Sequence, residues 1–126
     1  MFFSKSSSSL YLLLTAGVVT SPNYPNNYTN NFERTDTIQV AEGLIISLQF
    51  SAFQIEYHST CDFDHLTITD GDGTTLMEKS CGFSLPAAIT SRSNMTKVVF
   101  STDGSNTESG FSLSWTAVTP GECQHA

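Results

Sequence analysis

Apolar and polar residues alternate with a period of two through most of this chain, and no stretch carries the 3.6-residue stripe of an amphipathic helix. Ile38 and Val40 alternate with Thr37 and Gln39. Leu44, Ile46, Leu48 and Phe50 alternate with Ile45, Ser47 and Gln49. The same holds for Leu66 and Ile68, for Val98 and Phe100, and for Phe111, Leu113 and Trp115. Each run offers one apolar and one mostly polar face, as strands of antiparallel sheets packed on one side do. Turn chemistry separates them: Ser21-Pro22-Asn23-Tyr24-Pro25-Asn26-Asn27, Glu42-Gly43, and Asp70-Gly71-Asp72-Gly73, the last a hairpin signal. The expected fold is all-β, a jelly-roll-like β-sandwich of two antiparallel sheets.

With 126 residues, the chain has room for one domain that buries roughly two thirds of its unfolded surface. Apolar residues make up 39% of it, which places it among globular rather than disordered chains. Twelve acidic residues against five basic ones give a net charge of −7. Without a basic patch to release phosphate counterions, nucleic acid is excluded as the expected partner. Cations and cationic partners suit this field better.

Residues 1–16 read as a leader, either a short signal-peptide core at Leu10 to Ala16 or a disordered segment. That apolar stretch is too short to span a bilayer, and no other resembles a span. Residues 119–126, around Thr119-Pro120-Gly121-Glu122-Cys123, read as a linker or tail. Two sequons, Asn27-Tyr28-Thr29 and Asn94-Met95-Thr96, are candidate glycosylation sites and point with the cysteines to the secretory route. Cys61 and Cys81 bracket a segment of hairpin length, and a bridge there would stabilise the fold by about 3 kcal/mol. Cys123 is left over, a free thiol or a bond to a covalent partner.

Acidic residues gather at the ends of the predicted strands: Glu56, then Asp62 and Asp64 in Cys61-Asp62-Phe63-Asp64, then Asp103 in Asp103-Gly104-Ser105-Asn106. Oxygen donors on neighbouring loops are what Ca²⁺ requires, at roughly 2.3–2.6 Å from the ion. Catalysis finds no support, because the chain has no Gly-X-Ser-X-Gly elbow and no phosphate loop. His58 and His65 flank the acids and read as solvent-facing histidines. Trp115, Phe53 and Ile55 read as core and anchoring residues.

From Gly17 to Val118 the sequence resembles a CUB domain. The resemblance is carried by Ser21-Pro22-Asn23-Tyr24-Pro25-Asn26-Asn27-Tyr28, Phe53-Gln54-Ile55-Glu56, Cys61-Asp62-Phe63-Asp64, Leu66-Thr67-Ile68-Thr69-Asp70-Gly71 and Cys81-Gly82. Phe100-Ser101-Thr102-Asp103 and Gly110-Phe111-Ser112-Leu113-Ser114-Trp115 come after these in the same order. On that resemblance, residues 17–118 are the CUB domain. The N-terminal cysteine pair usual in the family is missing, and its second member falls near Arg34. Some calcium-binding members lack that pair as well.

The resemblance implies a Ca²⁺ site built from Glu56, Asp64 and Asp103, with the Gly104 carbonyl and the Asn106 side chain as further oxygen ligands and Tyr28 supporting a carboxylate. It further implies a secreted, non-catalytic module that engages proteins in a calcium-dependent way, with a partner's Lys or Arg received by the acids. Two alternatives stay open: an ancillary domain of a secreted multidomain protease, and a stand-alone adhesin that binds carbohydrate or phospholipid.

Overall fold

The computed structural model describes residues 13–121. Eight strands succeed one another: β1 (Ala16–Thr20), β2 (Glu33–Gln39), β3 (Ile45–Gln54), β4 (His65–Asp70), β5 (Thr75–Ser80), β6 (Ile89–Thr90), β7 (Met95–Ser101) and β8 (Gly110–Val118). They form two four-stranded sheets, β1-β8-β3-β6 and β2-β7-β4-β5, with every pairing antiparallel. No helix among the described residues is long and apolar enough to cross a membrane. The all-β sandwich expected from the alternation is the observed fold.

The inward positions are the ones the pattern marks. Ile46, Leu48 and Phe50 of β3, Leu66 and Ile68 of β4, Val98 and Phe100 of β7, and Phe111, Leu113 and Trp115 of β8 are buried between the sheets. Burying each such side chain contributes about 1.5–3 kcal/mol, so this layer dominates the stability. The aromatic members interlock edge-to-face, with Phe100 and Phe111 at 5.2 Å and Phe50 and Phe53 at 5.4 Å between ring centroids. Gly17 of β1 lies against the Trp115 indole, where a Cβ would come within 2.7 Å of the ring. Only glycine fits there.

A bulge near the middle of β3 changes which residues face inward. The ladder with β8 slips between Phe50 and Ala52, leaving Ser51 as an extra residue. Before the bulge the even-numbered residues face the core; after it Phe53 and Ile55 do. The change of parity turns Glu56 away from the hydrophobic layer at the strand's exit.

Because the strands are antiparallel, the sandwich has two ends with different chemistry. At one end, the turn after β4 is closed by hydrogen bonds from Asp70 N to Thr74 O (2.7 Å) and from Gly73 N to Asp70 O (3.0 Å), the hairpin the sequence predicts. The buried Asp70 carboxylate is fully occupied there, accepting from Gly71 N, Ser93 Oγ and Arg92 N at 2.6–3.0 Å. The acids at the other end are differently placed.

Candidate functional site

Glu56 lies just past β3, Asp64 immediately precedes β4, and Asp103 lies just past β7. One carboxylate oxygen from each lies within 4.8 Å of the others. Three loops distant in sequence therefore converge on one point at the edge of the sandwich.

Local structure holds each acid in place. The segment between Glu56 and Asp64 is pinned at its base, where Ile55 and Gly82 exchange backbone hydrogen bonds of 2.9 and 2.8 Å. The Cys61–Cys81 disulfide ties the same segment further along, across a Cα–Cα distance of 5.5 Å. The pairing considered from the sequence is thus the one formed. On the third loop, Thr102 is buried; its Oγ1 donates to Thr29 O (2.8 Å) and accepts from Phe32 N (2.9 Å). Asn31 N donates to Asp103 O at 2.7 Å. Asn31 sits at a φ of 53°, a left-handed conformation that asparagine tolerates. Thr102 and Asn31 position Asp103, and no local pattern in the sequence marks either for that task.

Tyr28 is the hinge of the cluster. Its ring is buried, edge-on to Phe100 at 5.0 Å. Its hydroxyl donates to Asp64 Oδ2 (2.7 Å) and accepts from Glu56 N (3.0 Å). Asp103 N donates to the other Asp64 oxygen at 2.8 Å. Asp64 is entirely buried, so both of its oxygens are fixed in direction. Gly110 supports the arrangement from behind: at φ +90°, its missing Cβ would fall 1.8 Å from Ser21 Oγ and 3.4 Å from the Tyr28 ring.

The electrostatics leave negative charge uncompensated. Glu56 Oε1 is buried and has no hydrogen-bond partner. Among the described residues, neither ion pair touches the three acids: Arg34 pairs with Asp36 and Lys79 with Asp62. Burial holds the Asp64 carboxyl above its usual range, opposed by its bonds from Tyr28 and Asp103 N and reinforced by the Asp103 charge. Burial also raises Glu56, opposed by Asn106 and reinforced by the charges of Asp64 and Asp103. Tyr28 is pushed far above the ordinary phenol value, first by burial and then by its bond to Asp64, and stays a donor. Like charges held this close favour either a proton or a cation between them.

The other candidate residues fall unevenly around this point. Asn106, in a left-handed conformation (φ 65°), presents its side-chain amide to the cluster, donating to Glu56 Oε2 at 3.2 Å. Its nitrogen, not its oxygen, faces the acids. Gly104 lies in the same loop, next to Asn31. Asp62 is exposed and outside the cluster; its pairing with Lys79 at 2.6 Å lowers its pKa to about 2. Asn27 is exposed at the cluster's rim, whereas Asn94 lies just before β7 at the far end, its side chain donating to Val40 O at 3.0 Å. Cys123 and most of the leader lie outside the described residues.

His65 corrects the sequence reading. It is half-buried rather than solvent-facing, with Nδ1 buried and unpartnered. Burial and the nearby Lys79 charge lower its pKa, so the ring is held neutral. Strand alternation places it outward on its sheet, yet it remains only partly exposed there. Around the acids the surface is aromatic: Tyr57 and Phe83 are more than half exposed, and the Phe63 ring lies tilted against His58 at 4.1 Å between ring centroids.

Comparisons with known proteins agree with this architecture. The sequence profile of the CUB domain matches residues 9–115. Cubilin of Rattus norvegicus is 36% identical over 107 residues, which is 85% of this chain and 3% of that protein. Bone morphogenetic protein 1 of Xenopus laevis is 37% identical over 102 residues, 79% of this chain and 14% of that protein. The chain therefore spans a small part of the curated relatives it matches. Among solved structures, the MASP-1 CUB2 domain bound to Ca²⁺ superposes with a TM-score of 0.75 at 33% identity, covering 82% of this chain and 93% of that one. The CUB1-EGF-CUB2 domain of human MASP-1/3 gives a TM-score of 0.78 at 34% identity, covering 83% of this chain and 40% of that one. With the profile spanning most of its length and the sandwich shared, this chain belongs to the family of CUB domains, extracellular β-sandwich modules that are not themselves catalytic.

Proposed function

We propose that this domain is a calcium-dependent protein-interaction module whose acidic end receives a basic side chain from an extracellular partner. The observation that carries the reading is the orphaned, buried Glu56 Oε1 beside two further carboxylates within 4.8 Å, with no Lys or Arg of the described residues paired to them. That donor set fits Ca²⁺, which takes carboxylate, carbonyl and amide oxygens. The matched MASP-1 CUB2 structure is bound to Ca²⁺, which supports the same ion here. Glu56, Asp64 and Asp103 would hold it, with the Gly104 carbonyl as a further donor and the Asn106 amide once its oxygen is turned inward. When bound, the ion supplies fixed positive charge that relieves the mutual repulsion of the carboxylates.

Tyr28 and the Asp103 amide direct the two Asp64 oxygens, so part of the ordering cost of a charged interface is already met in the fold. Carboxylate oxygens left facing outward would then accept a Lys or Arg as a charge-assisted hydrogen bond. The exposed rings of Tyr57, Phe63 and Phe83 offer apolar surface for that residue's neighbours.

Calorimetric titration of chelator-stripped protein with Ca²⁺, repeated on Glu56→Ala and Asp103→Ala, tests the reading. Binding by the wild type and its loss in both variants, with the sandwich still folded by circular dichroism, is the expected result. A wild type that takes up no Ca²⁺ overturns it.

A further inference from the structure

Two sequons occur in the sequence, and the fold separates them. Asn94 lies at the far end, where its amide donates to Val40 O and its threonine, Thr96, is wholly buried. Asn27 is exposed at the acidic end, and its side chain is tied to the loop that carries Asp103. Asn27 Nδ2 donates to both Thr107 Oγ1 (3.1 Å) and Thr107 O (3.3 Å). The next residue repeats the connection, with Tyr28 N donating to Glu108 O at 3.0 Å. The loop from Asp103 to Glu108 is thus clamped on one side by Asn27 and Tyr28, and on the other by Asn31 N to Asp103 O and Asn106 to Glu56.

We infer that Asn27 is an N-glycan acceptor and that its occupancy tunes the acidic site by releasing this clamp, an inference that rests on the calcium reading above. In the transfer, Asn27 Nδ2 attacks C1 of an oligosaccharide carried on a polyprenyl diphosphate. The N–C1 bond forms as the C1–O bond to the diphosphate breaks; the lipid diphosphate leaves, and one amide proton passes to a base of the transferase. The glycosylated nitrogen keeps a single hydrogen, so at most one of its two bonds to Thr107 survives. The sugar also occupies space beside the Asp103–Glu108 loop, at the rim a partner must approach. Tyr28, the middle residue of the sequon, is buried in the finished fold, so transfer precedes the docking of Tyr28 against Asp64. The glycan is then a permanent setting of the site, fixed during synthesis.

The variant Thr29→Ala removes the sequon while leaving Asn27 and its bonds intact, because the Thr29 contact in the structure is through its backbone carbonyl. The whole chain is secreted from eukaryotic cells as wild type, Thr29→Ala and Thr29→Ser, the last restoring an acceptor sequence. Intact mass gives occupancy, titration with Ca²⁺ gives affinity, and hydrogen exchange of residues 103–108 in chelator gives loop opening. Glycan on Asn27 in wild type and Thr29→Ser is expected, with Ca²⁺ affinity roughly threefold weaker than in Thr29→Ala, the loss of one exposed hydrogen bond. Faster exchange in the glycosylated loop is expected too. An unmodified Asn27, or equal affinity and equal exchange across the three proteins, overturns the inference and leaves the calcium reading standing. Failure of all three to bind Ca²⁺ sinks the calcium reading, and this inference with it.

Discussion

The Tyr28 hydroxyl sits 2.7 Å from Asp64 Oδ2 while accepting the Glu56 amide at 3.0 Å, so one phenol spans two of the three acid-bearing loops. Its ring belongs to the hydrophobic core, packed on Phe100. Core packing is thereby converted into carboxylate orientation.

Tyr28→Phe keeps the ring and deletes the bridge. Asp64 is completely buried, so the change leaves a carboxylate oxygen and the Glu56 amide without partners. The expected cost is about 1–3 kcal/mol of stability, read from urea unfolding in chelator. Ca²⁺ affinity should fall by about tenfold or more, as it does when a residue that orients a metal ligand is lost. Unchanged affinity would show that Asp64 needs no such support.

Acidity should move stability in opposite directions at different groups. Glu56 and Asp64 have raised carboxyl pKa values in the fold. In the calcium-free protein their ionised forms cost stability, and protonation recovers it as pH falls from neutral through their raised values. Asp62 is the reverse: its pKa is lowered to about 2, so its contribution is present above the ordinary carboxylate range and lost as pH falls toward 2. Calcium-free Tm should therefore rise on mild acidification and drop at stronger acidity. Saturating Ca²⁺ should raise the neutral-pH Tm instead; at 100 times Kd the linkage contributes about 2.7 kcal/mol. Thermal scans across pH, with and without Ca²⁺, check both signs.

Arg34 stands near the place where many CUB domains have a cysteine, and its side chain forms a non-covalent tie. It donates to Thr20 O at the end of β1 and to Asp36 Oδ2 at 2.7 Å, and its guanidinium lies over the Phe32 ring at 5.6 Å. The Asp36 pair is a third exposed on each side and contributes little; the bond to Thr20 and the stacking carry the rest. Arg34→Ala should destabilise by about 1–2 kcal/mol, a fall in Tm of roughly 5 °C or more. Salt should recover almost none of it, and Ca²⁺ affinity should not change. A variant as stable as wild type would show that neither the Thr20 bond nor the stacking on Phe32 matters to the fold.

The fold was legible wherever one face of a strand was buried and the other wet. Ile46, Leu48, Phe50, Leu66, Ile68, Val98, Phe100, Phe111, Leu113 and Trp115 alternate in the sequence and are buried in the structure. β1, β5 and β6 were not legible. β6 has two residues, and in β5 the run Thr75–Ser80 never becomes fully buried on either face. The acids were visible as residue types, but their convergence came only from the family resemblance, since Glu56 and Asp103 are joined by tertiary contacts alone. The residues that position Asp103, Thr102 and Asn31, act through a short hydroxyl and a backbone amide. Neither leaves a periodic trace.

Ser51 is where the strand that leads to Glu56 departs from a regular ladder. As the extra residue of the bulge, it shifts the parity of β3 so that Phe53 and Ile55, not their neighbours, enter the core. Deleting Ser51 would leave a regular ladder in which Ala52 still pairs with Ser112 and Phe53 with Phe111, so Phe53 and Ile55 keep facing the core and Glu56 keeps its direction at the exit. What the deletion removes is the local bend and added twist of the bulge. The domain should therefore stay folded, with a loss of about 1–2 kcal/mol against under about 1 kcal/mol for Ser51→Ala, which keeps the bulge. Denaturant unfolding of the two variants side by side, each followed by titration with Ca²⁺, separates the bend's contribution from that of the serine side chain. A deletion that unfolds the domain would mean that the bend, and not the pairing register alone, holds the end of β3 in place.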